Sequence, residues 1–161
     1  MSSSSSGSAC ETSKADVVAN ICPQCGEKGA RVEPITLKAL LTPEGLRRGA
    51  PPNPRFCASA NCPVVYFDRG VVFTEADLVV PVHAKHPADD DVPVCYCFRI
   101  TPATLERQIA IGGKSTARDE IAALVRAGRC ACEVKNPKGT CCLGDLARAE
   151  QQRPGVSAVG R

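Results

Sequence analysis

Val94-Cys95-Tyr96-Cys97, Cys130-Ala131-Cys132 and Cys141-Cys142 hold six of the eleven cysteines in a chain of 161 residues. Two segments with helical patterning lie between the first pair and the second. Thr101-Pro102 is a good N-cap and N1 pair for a helix over Ala103 to Ile111, ended by Gly112-Gly113. A second helix is predicted from Thr116 to Ala127, with Ile121, Leu124 and Val125 on one face and Gly128 as its stop. Asn136-Pro137-Lys138-Gly139 is a turn, and a third helix is expected from Leu143 to about Glu150.

Aromatics make up 4% of the chain and tryptophan is absent, so a large apolar core is not expected. Small domains with thin cores need staples, and cysteine supplies them as disulfides or as metal ligands. The opening MSSSSSGSACETSKAD contains no apolar run of the signal-peptide kind, and no stretch is long and apolar enough for a membrane span. We therefore expect a cytoplasmic chain with reduced thiols, in which clustered cysteines bind metal. Net charge is only +3 and no basic stripe with interleaved aromatics occurs, which argues against a nucleic-acid partner.

Residues 1–20 form a Ser-rich tail expected to be disordered, with Cys10 alone in it as a free thiol. Cys22-Pro23-Gln24-Cys25-Gly26 is a zinc-knuckle half-site. After 31 intervening residues Cys57 and Cys62 supply the other half. Cys22, Cys25, Cys57 and Cys62 make a closed four-thiolate set suited to structural Zn²⁺, with no position left for substrate. Unligated core thiols are the bland alternative. Between the half-sites, Thr36 to Leu41 suggests a short helix stopped near Pro43. Val64–Phe67, Asp68-Arg69-Gly70 and Val71–Phe73 read as a β-hairpin, Arg55-Phe56 as a further strand, and Leu78–Val82 as another. His83 and His86 are expected to be solvated, since four cysteines already complete the zinc set. Pro87 to Asp91 is an acidic linker, so we place a zinc-binding module at 21–88, a second domain at 92–150 and a polar tail at 151–161. The fold class is α+β: a small zinc-bound sheet followed by a helical unit.

The helical unit suits an iron–sulfur cluster. Four thiolates on a [2Fe–2S] core leave a net charge of about −2 or −3, which needs hydrogen-bond donors and nearby positive charge. Helix N-termini following Cys97 and Cys142 would supply the first. Arg126, Arg129, Lys135, Lys138 and Arg148, against Glu133 and Asp145, supply the second or form an ordinary solvated face.

The motif VCYC with Thr101 shortly after it resembles the start of bacterioferritin-associated-ferredoxin-type [2Fe–2S] domains. That family closes with C-x2-C. Here 32 residues separate Cys97 from Cys130, 34 separate it from Cys132, and nine lie between Cys132 and Cys142. Taken together, CPQCG at Cys22 to Gly26, FCASANCPVVYF at Phe56 to Phe67, VCYCFRIT at Val94 to Thr101 and CEVKNPKGTCC at Cys132 to Cys142 resemble the N-terminal half of the CopZ copper chaperone family. That resemblance implies one zinc on Cys22, Cys25, Cys57 and Cys62. It implies one [2Fe–2S] cluster on Cys95, Cys97, Cys132 and Cys142, with Cys130 and Cys141 as second choices. It also implies a copper chaperone domain or a copper-transporting ATPase as partner. The family's M-x-C-x-x-C copper-carrying motif does not occur in this sequence, whose only methionine is Met1.

Three functions remain open on the sequence. The chain is a one-electron redox partner in copper homeostasis, reducing Cu(II) to Cu(I); or a sensing or docking module with structural metals; or a holder of two structural zinc ions. Gly112-Gly113-Lys114-Ser115-Thr116 lacks the upstream glycine and strand of a phosphate-binding loop and reads as a helix–helix turn. No catalytic constellation is present, so a substrate-converting enzyme is not expected.

Overall fold

The computed structural model describes residues 19–153. The Ser-rich tail with Cys10 and the segment after Arg153 lie outside the described residues. Four antiparallel strands run in sheet order β1 (Ala30–Arg31), β2 (Arg55–Phe56), β3 (Val64–Asp68) and β4 (Val71–Thr74). Asp68 pairs with Val71, so Arg69-Gly70 is a two-residue hairpin loop. Both loop residues have positive φ, 40° and 86°, which is the backbone twist such a turn needs. The register of β3 against β4 shifts between Val64 and Tyr66. The irregularity lets all five residues of β3 be buried: Val65 and Tyr66 join the main core, while Val64 and Phe67 pack with Cys22, Cys57 and Cys62.

Helix α1 (Pro34–Leu40) buries Thr36, Leu37 and Leu40. Pro43 does not simply stop it; Pro43 opens a second short helix, α2 (Pro43–Arg47), whose cap Thr42 accepts a hydrogen bond from Gly45 N–H at 3.2 Å. The expected strand over Leu78–Val82 does not form. Leu78 makes a single bridge to Leu41 and Val79 N–H donates to Leu40 O. Pro81 has no N–H, and Val82 N–H donates to the Glu75 carboxylate at 2.7 Å instead. Apolar residues alone do not make a strand once its donors are committed elsewhere.

The second half is helical: α3 (Pro102–Gly112), α4 (Ala117–Arg126), the single turn α5 (Cys132–Lys135) and α6 (Leu143–Gln151). Thr101 caps α3 by accepting from Thr104 N–H at 3.2 Å, and Gly113 ends it at φ 76°. The α3–α4 connection is a helix–helix turn in which Gln108 accepts from Ser115 Oγ and from the N–H groups of Thr116 and Ala117. Leu105, Ala117, Ile121 and Leu146 form the core between the three longer helices, with Cys95 and Cys142 at its edge.

The halves touch. Helix α5 packs on α1, the Tyr96 hydroxyl donates to Pro81 O at 2.8 Å, and His83 N–H donates to that hydroxyl at 2.9 Å.

Candidate metal centres

The first cluster of thiols is built by two tight turns. Cys22 N–H donates to Glu27 O, Gly26 N–H donates to Cys22 O, and Gly26 sits at φ 75°. The Cys22–Cys25 pair is thereby folded back on itself. Cys57 follows directly on β2 and its N–H donates to Val65 O, while Cys62 leads into β3. The sheet thus carries the second pair to the first. Sγ atoms of Cys22 and Cys62 lie 3.8 Å apart, those of Cys25 and Cys57 3.6 Å apart, and all four lie within 4.8 Å of one another. A tetrahedral ion bound at about 2.3 Å to sulfur spans ligand edges of about 3.8 Å, so this donor set fits Zn²⁺. Desolvation pushes the Cys57 thiol up to about 12, and metal binding would have to displace its proton. Lys85 Nζ donates to Ser59 O at 2.8 Å, placing a cation beside the site.

The late cysteines are arranged differently. Cys95 and Ile100 exchange both backbone hydrogen bonds at 3.1 Å, with Arg99 at φ 56°, so the C-x-C segment is a closed turn. Cys97 Sγ lies 3.7 Å from Cys132 Sγ. Cys95 and Cys142 lie in the same buried cluster; the nearby Cys142 is the first cause lowering the Cys95 thiol, to about 7, and Cys95 in turn pushes Cys142 up. Among the described residues, the early four are the only group of three or more such ligand atoms lying within 4.8 Å of one another. Cys97 and Cys132 thus form one thiol pair and Cys95 and Cys142 share the buried core, so the four are not one tight knot like the early set. The Cys95–Cys142 pair is sealed, at 0% and 1% exposure, while Cys97 and Cys132 are partly open. The Ala131 N–H points at Cys97 Sγ from 3.3 Å. Cys142 stands at the start of α6 and is buried; Cys141 faces solvent.

Among the basic residues of this region, Lys138 and Arg148 are tied up by Asp145, while Arg126 and Arg129 are exposed. The histidines divide. His86 Nε2 pairs with Glu75 at 2.7 Å on the surface. His83 is not simply solvated: it is half-buried and its buried Nδ1 has no hydrogen-bond partner among the described residues. Sequence patterning carried no signal for this, because the residues that line the cavity beside His83 come from distant segments, Tyr96 and Pro137 among them.

A small α+β protein with a four-thiol knot at one end of its sheet is a metal-binding class of molecule, and comparison with known proteins narrows the class. The CopZ-type zinc binding domain family matches residues 19–79. The copper chaperone CopZ of Archaeoglobus fulgidus is 34% identical over 128 residues, which is 79% of this chain; the chain spans 60% of that protein's length. The X-ray structure of the Archaeoglobus fulgidus CopZ N-terminal domain superposes with a TM-score of 0.63 at 33% identity, covering 80% of this chain and 95% of that one. This chain belongs to the family of CopZ-like zinc-binding domains. No helix among the described residues is long and apolar enough to cross a membrane.

Proposed function

We propose that Cys22, Cys25, Cys57 and Cys62 hold one structural zinc, and that Cys95, Cys97, Cys132 and Cys142 hold a [2Fe–2S] cluster. On this reading the protein is a one-electron partner in copper homeostasis. The observation that carries the proposal is the division of the late cysteines into two pairs. A lone tetrahedral ion needs all four sulfurs within one short set of edges, as the early four have; a diiron centre needs two thiolates for each metal.

When bound, such a cluster supplies exchange of one electron. The chain's own residues do the rest. Cys95 and Cys142 would hold the cluster from the buried core, where Leu105 and Leu146 exclude water. Cys97 and Cys132 hold the partly open side, where the Ala131 N–H offsets charge on sulfur. That partly open side is where an electron would pass most directly to a docked acceptor. We take Cu(II) as the acceptor, which would gain one electron to become Cu(I) for a chaperone or a transport ATPase to carry away; the likeness to a copper chaperone supports the copper part of this reading.

Anaerobically purified protein is expected to be reddish-brown, with about two iron, two labile sulfide and one zinc per chain. Once reduced, it should convert about one equivalent of Cu(II) to Cu(I), read with a Cu(I)-specific chelator. Colourless protein with two zinc ions would end the redox reading; iron-loaded protein that leaves Cu(II) unchanged would end the copper reading alone.

A further inference from the structure

The segment joining Cys132 to Cys142 is held from outside as well as from within. Inside it, Asn136 is 2% exposed; its side-chain N–H donates to Thr140 O at 2.7 Å, and its side-chain oxygen accepts from Lys138 N–H at 3.0 Å. These bonds fix the turn but not its place in the molecule. Two buried hydroxyls from the zinc-binding half do that. Thr36 Oγ1, on α1, donates to Glu133 O at 2.6 Å, one residue past Cys132. Tyr66 OH, on β3, donates to Pro137 O at 2.6 Å, five residues before Cys142. Gly139 then lies so close to α1 and its approach that an added Cβ would sit 3.0 Å from Thr36 Oγ1 and 3.1 Å from Val32 Cγ1, at φ 67°.

Both hydroxyls are 0% exposed. The same strand pair that carries Tyr66 carries the early thiols: Tyr66 pairs with Phe56, and Cys57 is the next residue. The loop bearing two of the late thiols is thus fastened to the part of the sheet that the early thiols close.

We propose that Thr36 and Tyr66 are positioning residues for Cys132 and Cys142, so that the zinc-binding half sets the geometry of the second thiol site. This rests on the [2Fe–2S] reading for its functional meaning, but the fastening itself concerns protein groups alone. A helical threonine hydroxyl could satisfy itself on a carbonyl of its own helix, and a tyrosine hydroxyl could end in solvent. These two instead reach carbonyls 97 and 71 positions away, both in the same short loop.

Tyr66→Phe, Thr36→Val and the double variant keep side-chain volume close to that of the original. In the purified protein, hydrogen exchange at residues 138–142 should quicken roughly fivefold for each single variant and on the order of 25-fold for the double, the value of one ordinary hydrogen bond at each site. Exchange in β4 and α3 should stay within about twofold, and zinc content should hold. Where iron is bound, the midpoint potential and visible circular dichroism should shift with the loop. Unchanged exchange at 138–142, or a rise shared equally by β4 and α3, would overturn the proposal. Iron and sulfide analysis of the unsubstituted protein reports separately on the cluster, so its failure is distinguishable from failure of the fastening.

Discussion

Cys97 and Cys132 stand 35 positions apart in the chain, yet their Sγ atoms meet at 3.7 Å. That contact is made by the C-x-C turn on one side and the single turn α5 on the other, and it selects among neighbouring cysteines. Cys142 is buried against Cys95, whereas Cys141 faces solvent. Cys132→Ser and Cys142→Ser are therefore expected to abolish iron and sulfide binding or reduce it several-fold. Cys141→Ser should leave iron content and the visible spectrum within about 20% of the original, an expectation that follows from its lying outside both pairs. Loss of iron in Cys141→Ser with retention in Cys142→Ser would reverse the assignment.

The knot of early thiols makes a different prediction. Three of the four, Cys22, Cys57 and Cys62, are buried at 1–3% exposure and pack with Val64 and Phe67. Cys25 is exposed, so Cys25→Ala disturbs little packing and tests the metal rather than the core. We expect it to lose zinc and to lower stability by well over the ~0.5 kcal/mol of an ordinary surface change, because metal binding here is part of the folding free energy. Inductively coupled plasma analysis with thermal melts reads both quantities. A Cys25→Ala protein with full zinc and an unchanged melting temperature would remove zinc from the account.

Much of this arrangement was legible in the chain, for local reasons. The Val-Val-Tyr-Phe run, the Asp68-Arg69-Gly70 turn and the following Val-Val-Phe specify a hairpin through turn chemistry alone. Thr101-Pro102 and Gly112-Gly113 bracket α3 because capping depends on adjacent residues. The knuckle spacing pointed to Cys22, Cys25, Cys57 and Cys62 as one group, and their ligand atoms lie within 4.8 Å of one another. What escaped was set at long range. Leu78–Val82 has strand composition, but its donors go to Leu40 and Glu75. Nothing near Tyr66 in sequence says that its hydroxyl meets Pro137, and nothing near His83 says that its Nδ1 is buried.

Leu105 is 0% exposed and lies in the core shared by Ile121, Leu146 and Cys142. Leu105→Ala should cost about 2–5 kcal/mol, the usual range for a buried leucine. Because the cavity opens beside the sealed Cys95–Cys142 pair, the substitution should also hasten loss of iron and sulfide in air. Chemical denaturation gives the first effect and bleaching of visible absorbance the second. A loss below about 1 kcal/mol would mean that α3 is not packed as described.

His83 carries the pH prediction. Burial lowers its pKa first; Asp145 opposes that, and Arg153 and Lys138 reinforce it. Its Nδ1 has no partner among the described residues. The folded protein thus resists protonating a group that the unfolded chain protonates at the ordinary histidine value near 6.5. Above that value both states hold neutral imidazole and the residue has no effect on stability. As pH falls through it, the unfolded chain takes up the proton first, so stability declines until the lower folded-state value is passed. Acid also protonates thiolates, so the measurement is a difference. His83→Gln removes the titration but leaves every cysteine in place. Between about pH 7 and pH 5 the unsubstituted protein should lose more stability than His83→Gln does, with the two curves parallel above pH 7. Identical slopes throughout would show that His83 reaches water in the folded state.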